Sequence, residues 1–351
     1  MGRRSSRRRS FGRRRRSPET VFWIGLVTVL VLAGTGFFVY NTFIASGWIF
    51  AQGTSEPEQP GSEEVKAVEE RTLEDDGTND PAWEPKEPGT HKNILLLGLD
   101  DRGMCDAVMI VSYDLRTFDS AIISIKRDTY VSDQEWASKE SGQDHLAWAN
   151  NRGMGEDNDY HAGARLTAKT VEDLLGIDLH AYSSITYTGF TELINLLGGV
   201  EIEVAPEFAE IYGSKLAGGL QRLDGEQALT YARHRQNPRI PEPGSTSQDG
   251  DRVRRGQRLL MAMFEQARTM ETDTLMEIFD QLDNNLNTSL EDWDILDLMN
   301  LIYHREPDEI ETAVLPGKGE MVFQERIERD IYYFFLDVEE TDRILEELGL
   351  K

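Results

Sequence analysis

Residues Asn93–Gly103 read NILLLGLDDRG, and the fold can be predicted outward from this stretch. Its first part is a continuous apolar run, which is typical of a strand that is buried on both faces of a sheet. Two similar runs follow, AVMIVSY at Ala107–Tyr113 and AIISI at Ala121–Ile125. Charged residues stand directly after the first and third runs. The sequence therefore predicts a buried sheet with polar groups at the ends of its strands, where open α/β sheets bind ligands.

The following region alternates between segments with helical spacing and short strand-like segments. The predicted helices are 166–175, 190–197, 225–231, 252–270 and 290–302, and the predicted strands are 181–187, 200–204 and 312–315. Ser289 is the expected N-cap of the last helix, and Asp249 or Asp251 is the expected N-cap of the helix before it. Strands interleaved with helices predict an α/β fold with a mixed central β-sheet sandwiched by helices.

The beginning of the chain has the composition of a membrane anchor. Residues 1–20 hold nine arginines and one acid, and no residue from Thr20 to Ser55 is charged. Residues 21–44 are predicted to be a transmembrane helix that contacts the lipid bilayer, because about 20 apolar residues span a hydrocarbon core. The next basic residue is Lys66, so the positive-inside rule places the arginine-rich arm in the cytoplasm of a single-pass membrane protein. A cleaved signal peptide, whose apolar part usually has about 7–15 residues, is the alternative.

An acidic segment separates this anchor from the predicted fold. Residues 45–91 are predicted to be a disordered linker, since residues 52–91 hold twelve acids, three bases and few large apolar side chains. The folded, extracytoplasmic domain is then 92–351. The net charge of the chain is −26, which disfavours nucleic acid as a partner because a polyanion needs a basic face. An anionic ligand would need a local cluster of basic residues.

Two acidic side chains flank the loop between the first and second predicted strands. Asp100 and Asp106 could bring their carboxylates together and bind a divalent cation such as Mg²⁺. The alternative is that each carboxylate caps a turn or a neighbouring amide. After the third strand, Arg127 is followed by Asp128, which by itself indicates a surface ion pair.

Two further stretches are rich in arginine, YARHR at Tyr231–Arg235 and DGDRVRRGQR at Asp249–Arg258. In an extended segment, Arg233 and Arg235 would point to the same side. On a helix, Arg252 and Arg255 share one face. So many arginines in an acidic domain predict a phosphate-binding site, because a guanidinium group donates paired hydrogen bonds to phosphate oxygens.

In this order, the stretches resemble the LytR-CpsA-Psr (LCP) family over about residues 92–316. The segments that carry the resemblance are NILLLGLDDRG (Asn93–Gly103), SIKRDTYV (Ser124–Val131), TVEDLLGID (Thr170–Asp178), GFTELINLLGGVEIEV (Gly189–Val204), LDGEQALTYARHR (Leu223–Arg235) and DGDRVRRGQR (Asp249–Arg258). The resemblance implies a phosphotransferase that moves an anionic glycopolymer from a polyprenyl-pyrophosphate carrier to peptidoglycan or another cell-wall acceptor. It also implies Mg²⁺ or Mn²⁺ as cofactor and an apolar tunnel under the sheet for the lipid tail.

The resemblance also implies the roles of individual residues. The implied catalytic residues are Asp100, Arg127, Arg233, Arg235, Asp249 and Arg252. The residues implied to bind the pyrophosphate are Arg127, Arg233, Arg235, Arg252 and Arg255. The implied metal ligands are Asp100 and Asp106, and Asp100 either orients metal-bound water or accepts the proton of the acceptor hydroxyl.

This sequence departs from the family pattern at several positions. The family usually has an arginine near Met104 and often a glutamine at Gly256, and the residues after Pro316 match it poorly. The functional acid of the second arginine-rich stretch is either Asp249 or Asp251. These departures leave open an alternative function as a non-catalytic polyprenyl-phosphate carrier or as a scaffold for assembly of the cell envelope.

Overall fold

The computed structural model of the protein describes residues 83–131, 134, 136–137, 143–234, 248–282, 285–325 and 327–351. The predicted arm (1–20), the predicted transmembrane helix (21–44) and most of the predicted linker (45–91) lie outside these residues and stay predictions. Within the described ranges, no helix is both long enough and apolar enough to cross a membrane.

The centre of the fold is a mixed β-sheet. The strands assigned in the described residues are β1 (His91–Leu99), β2 (Cys105–Asp114), β3 (Ser120–Ile125), β4 (Ala181–Thr186), β5 (Val200–Val204), β6 (Gly219–Leu223), β7 (Leu286–Thr288), β8 (Glu311–Val314), β9 (Gly317–Gln324) and β10 (Arg329–Leu336). Six of them form a sheet in the order β7-β4-β1-β2-β3-β8. Strands β1, β2 and β3 are an antiparallel meander, whereas β4 lies parallel to β1 and β8 parallel to β3. The predicted mixed sheet is confirmed.

Helices cover both faces of this sheet, as the sequence predicts. The helices are α1 (Ala149–Met154), α2 (Tyr160–Leu175), α3 (Tyr187–Leu196), α4 (Glu207–Tyr212), α5 (Gly225–Arg233), α6 (Gln248–Arg268), α7 (Thr272–Gln281), α8 (Asp292–His304) and α9 (Val338–Glu347). Helix α2 begins at an N-cap, Asp159, whose carboxylate accepts hydrogen bonds from two amides of the first turn. It ends at Gly176, whose left-handed conformation favours glycine.

One face of the sheet, which we call the closed face, is completely filled. Leu95 and Leu97 of β1, Ile110 of β2 and Ile123 of β3 are each at most 2% exposed. They pack in one cluster with small and branched side chains of α2 and with the last helix, α9. Burying each such side chain contributes roughly 1.5–3 kcal/mol to the free energy of unfolding, so this face holds most of the core.

The other face, which we call the open face, is filled less completely. It faces α6 and α8, and its clusters include Ile94, Met109 and Ile122 among the buried residues. Leu96 and Val111 on the same face remain half-buried. The helical residues that approach them are also half-buried, namely Leu260, Met261, Phe264 and Leu298. The two faces of one sheet therefore differ in how tightly they are covered.

Two hairpins lie beside the central sheet. Strands β5 and β6 pair antiparallel and share a small core with α4, α5 and α6, in which Phe208 and Tyr231 are fully buried. This core fixes the position of α5. Strands β9 and β10 form the second antiparallel hairpin, which follows Pro316 in the chain.

The folded part begins earlier than the expected residue 92. Trp83 is only 4% exposed and belongs to the cluster of the closed face. Its ring lies 5.6 Å from that of Tyr182, measured between centroids. The end of the predicted linker is therefore packed onto the domain, because a large aromatic side chain there gains free energy by burial.

The predicted N-caps of two helices are wrong. Helix α6 begins at Gln248, so Asp249 and Asp251 both lie within its first turn. Helix α8 begins after its N-cap Glu291, whose backbone amide donates a hydrogen bond to Oδ2 of Asp294 in the first turn at 2.9 Å. Ser289 has another role, since its hydroxyl oxygen accepts a hydrogen bond from the backbone amide of Tyr182 in β4.

Candidate active site

The loop between β1 and β2 is a tight turn built on Asp100. Its Oδ1 accepts hydrogen bonds from the amides of Arg102 and Met104, both at 2.9 Å. Gly103 has a φ of 73°, and a Cβ at this position would lie 2.2 Å from Sδ of Met154, so the turn requires glycine. One oxygen of Asp100 thus closes the turn, as the capping alternative expects.

Asp106, at the start of β2, is the centre of the charged cluster. Its Oδ1 accepts a hydrogen bond from Nη1 of Arg127 and lies 3.5 Å from Nη1 of Arg252. Its Oδ2 accepts a hydrogen bond from the hydroxyl of Tyr187. The Arg252 side chain is 7% exposed and that of Arg127 is 17% exposed. Partial exclusion of water strengthens these charge-assisted contacts. The structure thus brings Asp106, Arg127 and Arg252 together, and their roles in catalysis and in binding metal or pyrophosphate stay predictions.

Arg233 joins this cluster through Tyr187. Its guanidinium carbon lies 4.3 Å from the centroid of the Tyr187 ring, which is a cation–π contact. Burial, and then the hydrogen bond to Asp106, raise the pKa of Tyr187, so its hydroxyl stays a donor at neutral pH. Arg233 is the last residue of α5 rather than part of an extended segment, so that part of the prediction is wrong. Arg235 and the side chain of Asp249 lie outside the described part of the protein.

Arg255 supports the end of α5. It is 1% exposed, and its guanidinium group donates to the carbonyl of Tyr231 at 3.1 Å and to the carbonyl of His234. The C-terminus of a helix favours a cation, because its last carbonyls carry partial negative charge. Burial, and then the charge of Arg255, lower the pKa of His234. Arg255 therefore fixes the helix end that presents Arg233, and its binding to pyrophosphate stays a prediction.

The segment around α1 contacts both the loop of Asp100 and the loop of Arg127. The amide of Ala147 donates to the carbonyl of Arg127 at 2.8 Å. The side-chain amide of Asn150 donates to the carbonyl of Gly103 at 2.8 Å. The side-chain amide of Asn151 donates to the carbonyl of Arg102 at 2.7 Å. One short segment thus ties down both the loop of Asp100 and the loop of Arg127.

Sequence reasoning missed Tyr187 and Asn150. Tyr187 directly follows strand β4, which lies parallel to β1, and the carboxyl ends of parallel strands are where ligands bind. That position could have marked Tyr187 as a candidate. Nothing in the sequence indicates that Asn150 reaches Gly103, because the contact joins residues 47 positions apart.

Gly256 has a packing reason. A Cβ at this position of α6 would lie 2.8 Å from Cε of Met109 on the open face. Glycine therefore lets α6 pass close to β2, and a larger side chain would require Met109 to move. Met104, the other departure, contributes its backbone amide to the turn of Asp100.

Asp100 and Asp106 form the candidate donor set for a metal ion. Among the residues that the structure describes, no group of three or more His, Cys, Asp or Glu side chains is placed to hold one. Mg²⁺ is usually bound by one or two carboxylates together with waters and substrate phosphates, and the two aspartates match that number of carboxylates. Oδ1 of Asp100 and both oxygens of Asp106 already accept hydrogen bonds within the protein. Cys105, the single cysteine, is not a suitable nucleophile, because burial raises the pKa of its thiol to about 12.

Comparison with known proteins shows the family. The model of the LytR_cpsA_psr family matches residues 58–349, and the chain belongs to this family. The match extends beyond the residues 92–316 that carry the sequence resemblance, at both ends of the chain.

Several relatives have been named or solved. The polyisoprenyl-teichoic acid–peptidoglycan teichoic acid transferase TagU of Oceanobacillus iheyensis is 29% identical over 348 residues, which cover 97% of this chain and 96% of that protein. TagU of Enterococcus faecalis is 28% identical over 264 residues, with coverages of 73% and 78%. The structure of Bacillus subtilis TagV has a TM-score of 0.57 at 24% identity and covers 75% of this chain and 98% of its own. The structure of TagT bound to LIIa-WTA has the same TM-score and identity, with coverages of 76% and 93%. The two structures show that this chain has the LCP fold.

Proposed function

We propose that this protein is a phosphotransferase that moves a glycopolymer from a polyprenyl-pyrophosphate carrier to peptidoglycan or another cell-wall acceptor. The observation that carries the proposal is the convergence of Arg127 and Arg252 on Asp106, with Arg233 beside them. The relatives named as teichoic acid transferases support this class of reaction.

The arginines would bind the pyrophosphate of the donor. The chain carries a net charge of −26, so a polyanionic group needs a local concentration of positive charge. Arg127, Arg233 and Arg252 supply it in the described residues, and Arg235 would join them. Each guanidinium group matches the geometry of phosphate oxygens. Arg255 would contribute by holding the end of α5 in place.

The open face would hold the lipid tail. Leu96 and Val111 of the sheet and Phe264 of α6 are half-buried, so apolar surface remains there for a prenyl chain to cover. Burying such surface contributes about 25 cal/mol for each Å². Because Met109 on this face touches the position of Gly256 on α6, four residues after Arg252, the tail and its pyrophosphate would lie next to each other.

The proposed reaction is substitution at phosphorus. A hydroxyl oxygen of the acceptor attacks the phosphorus that is bonded to the sugar. The bond from that phosphorus to the bridging oxygen breaks, and polyprenyl phosphate leaves with the electron pair. The hydroxyl proton passes to Asp100, directly or through one water. Phosphoryl transfer depends mainly on positioning of the reactants and on neutralising their charge, and the arginines can provide both.

A divalent cation is part of this proposal. Asp106 and Asp100 would hold Mg²⁺, or Mn²⁺, together with phosphate oxygens of the donor. The ion supplies positive charge to the pyrophosphate when it is bound. Asp106 is already held by Arg127 and Tyr187, which would fix its orientation toward the ion.

The proposed location is the outer side of the cell membrane. The arginine-rich residues 1–20 would lie in the cytoplasm, and residues 21–44 would cross the bilayer as a single helix. An acidic linker would then carry the catalytic domain outside the cell, close to a lipid-linked donor.

The test is a transfer reaction with the full chain in lipid vesicles. We would supply Mg²⁺, a polyprenyl-pyrophosphate oligosaccharide and peptidoglycan fragments, and follow joined product by mass spectrometry. Joined product should form, and it should disappear on chelation of the metal and in Arg233→Ala. Arg343→Ala on α9 is the matched control, since Arg343 is exposed and pairs with Glu340 and Glu347. Donor that is bound but never cleaved would instead support the carrier alternative.

A further inference from the structure

The C-terminal hairpin is bonded to the loop that carries Arg127. The amide of Phe334 on β10 donates to the carbonyl of Asp128 at 2.8 Å, and the amide of Tyr130 donates to the carbonyl of Phe334 at 2.9 Å. On the other side of Arg127, the ammonium group of Lys126 lies 3.8 Å from the centroid of the Phe334 ring. Strand β10 therefore contacts residues on both sides of Arg127 in the chain.

The opposite side of the same loop is held by the segment before α1. The amide of Ala147 donates to the carbonyl of Arg127 at 2.8 Å, and the amide of Leu146 donates to the carbonyl of Thr129 at 2.9 Å. Thr129 and Phe334 are 1% and 2% exposed. The loop thus lies between two backbone segments, and its conformation depends on the distance between them.

Tyr333 joins these two segments. Its hydroxyl donates to Oδ1 of Asp144 at 2.7 Å and accepts from the side-chain amide of Gln324 at 3.0 Å. Its ring stacks on that of His145, with centroids 4.6 Å apart. Asp144 is fully buried, and its Oδ2 has no hydrogen-bond partner within the part of the chain that the structure describes. A buried carboxylate that loses a donor pays a desolvation cost, so the bond from Tyr333 strongly constrains the hairpin.

We propose that the β9–β10 hairpin is a positioning element of the phosphate site and that Tyr333 is its principal positioning residue. Through Asp144 and β10, Tyr333 sets the loop Lys126–Tyr130 and with it the direction of the Arg127 guanidinium group. The catalytic consequence rests on the proposed function, whereas the control of the loop does not.

The experiment uses the full chain and the variant Tyr333→Phe. Hydrogen exchange of the amides in residues 128–131 should become at least about 10-fold faster, because the bonds that hold them open more often. We expect kcat of transfer to fall about 10-fold with KM for the donor little changed, since a misplaced charged group costs rate. In an Arg127→Ala background the same substitution should cost almost nothing more. Tyr303→Phe is the matched control, because it removes a hydroxyl that bonds the carbonyl of Met270 at 2.8 Å.

The outcomes separate the two proposals. Unchanged exchange in residues 128–131 overturns the positioning role, and so does an equal loss of rate with and without Arg127. If the wild-type protein transfers nothing, the proposed function fails. The effect of Tyr333→Phe, with and without Arg127→Ala, is then measured on the affinity for inorganic pyrophosphate instead of on kcat. Should Tyr333→Phe fail to fold, Gln324→Ala removes the hydrogen bond to the Tyr333 hydroxyl and should give the same changes in exchange and rate to a smaller extent. Hydrogen exchange in residues 128–131 equal to that of the wild type would again overturn the positioning role.

Discussion

The closed and open faces of the central sheet are built from the same three strands but differ in how they are covered. On the closed face, Leu97 and Ile110 are almost fully buried against α2. On the open face, Leu96 and Val111 stay half-buried beneath α6 and α8. Adjacent residues of one strand point to opposite faces, so the contrast is not a property of the strands. The contrast comes from the helices: those on the closed face bury its apolar side chains fully, whereas those on the open face leave apolar surface accessible.

Breaking the closed face should have the largest effect on stability. Ile110→Ala should lower the free energy of unfolding by about 2–5 kcal/mol, because the substitution leaves a cavity that a packed core cannot close. Urea denaturation measures this, with Leu96→Ala on the open face as the matched control. Leu96→Ala should cost clearly less, and an equal loss at both positions would mean that the two faces are equally packed.

Substitutions in the charged cluster at the edge of the open face should reduce activity rather than stability. Arg252→Ala should reduce the rate of transfer by about 10²–10³, as expected for loss of one preorganised charged donor. The melting temperature should change little, because removing one partner leaves Asp106 with Arg127 and Tyr187. Steady-state rates and thermal melting measure the two effects. Near-normal transfer by a folded Arg252→Ala protein would remove Arg252 from the site.

Filling the open face should sharpen the contrast further. Val111→Trp should weaken binding of a long polyprenyl phosphate by about 10-fold, because the added ring occupies the surface that the tail would cover. Binding of inorganic pyrophosphate should stay the same, since the arginines are untouched. Calorimetric titration with both ligands gives the comparison, and equal binding of the long lipid by both proteins would place the tail elsewhere.

Tyr187→Phe should produce a smaller change at the same edge. The ring that contacts Arg233 remains, while the hydrogen bond to Asp106 is lost. If Asp106 binds Mg²⁺ as proposed, we expect an about 10-fold higher Mg²⁺ concentration for half-maximal transfer, because a hydrogen-bond partner of a metal ligand typically contributes at least about 10-fold to metal affinity. An unchanged metal dependence would show that the hydroxyl does not orient Asp106.

The smallest effect should come from protonation of His180, at the beginning of the central strand β1. His180 accepts a hydrogen bond from the amide of Asn93 through Nδ1 at 2.9 Å, and burial lowers the pKa of its imidazole. The stability that neutral His180 provides is complete above about pH 6.5, the ordinary histidine value. It should decrease as the pH falls from there through the lower pKa of the folded state. The melting temperature should fall as the pH is lowered between these two pKa values, and His180→Gln should reduce that pH dependence. An equal pH dependence in both proteins would assign it to other titrating groups.

Much of this could be predicted from the sequence. The apolar runs of β1, β2 and β3 are continuous, so the buried sheet follows from local pattern. The convergence of Arg127 and Asp106 follows from their places at strand ends. Arg255 could not be assigned to the end of α5, because its partners are backbone carbonyls brought near only by the tertiary fold. The difference between the two faces was equally hidden, since it depends on how far each helix lies from the sheet.

We expect transfer to occur by substitution at phosphorus, at the charged edge of the open face. The most direct measurement identifies both products of one reaction by mass, using the full chain, Mg²⁺, a polyprenyl-pyrophosphate glycan and a peptidoglycan acceptor. We expect the acceptor to gain the glycan together with one phosphate, and the lipid to leave as a monophosphate. An acceptor that gains the glycan without phosphate, with release of the lipid pyrophosphate, would contradict substitution at phosphorus.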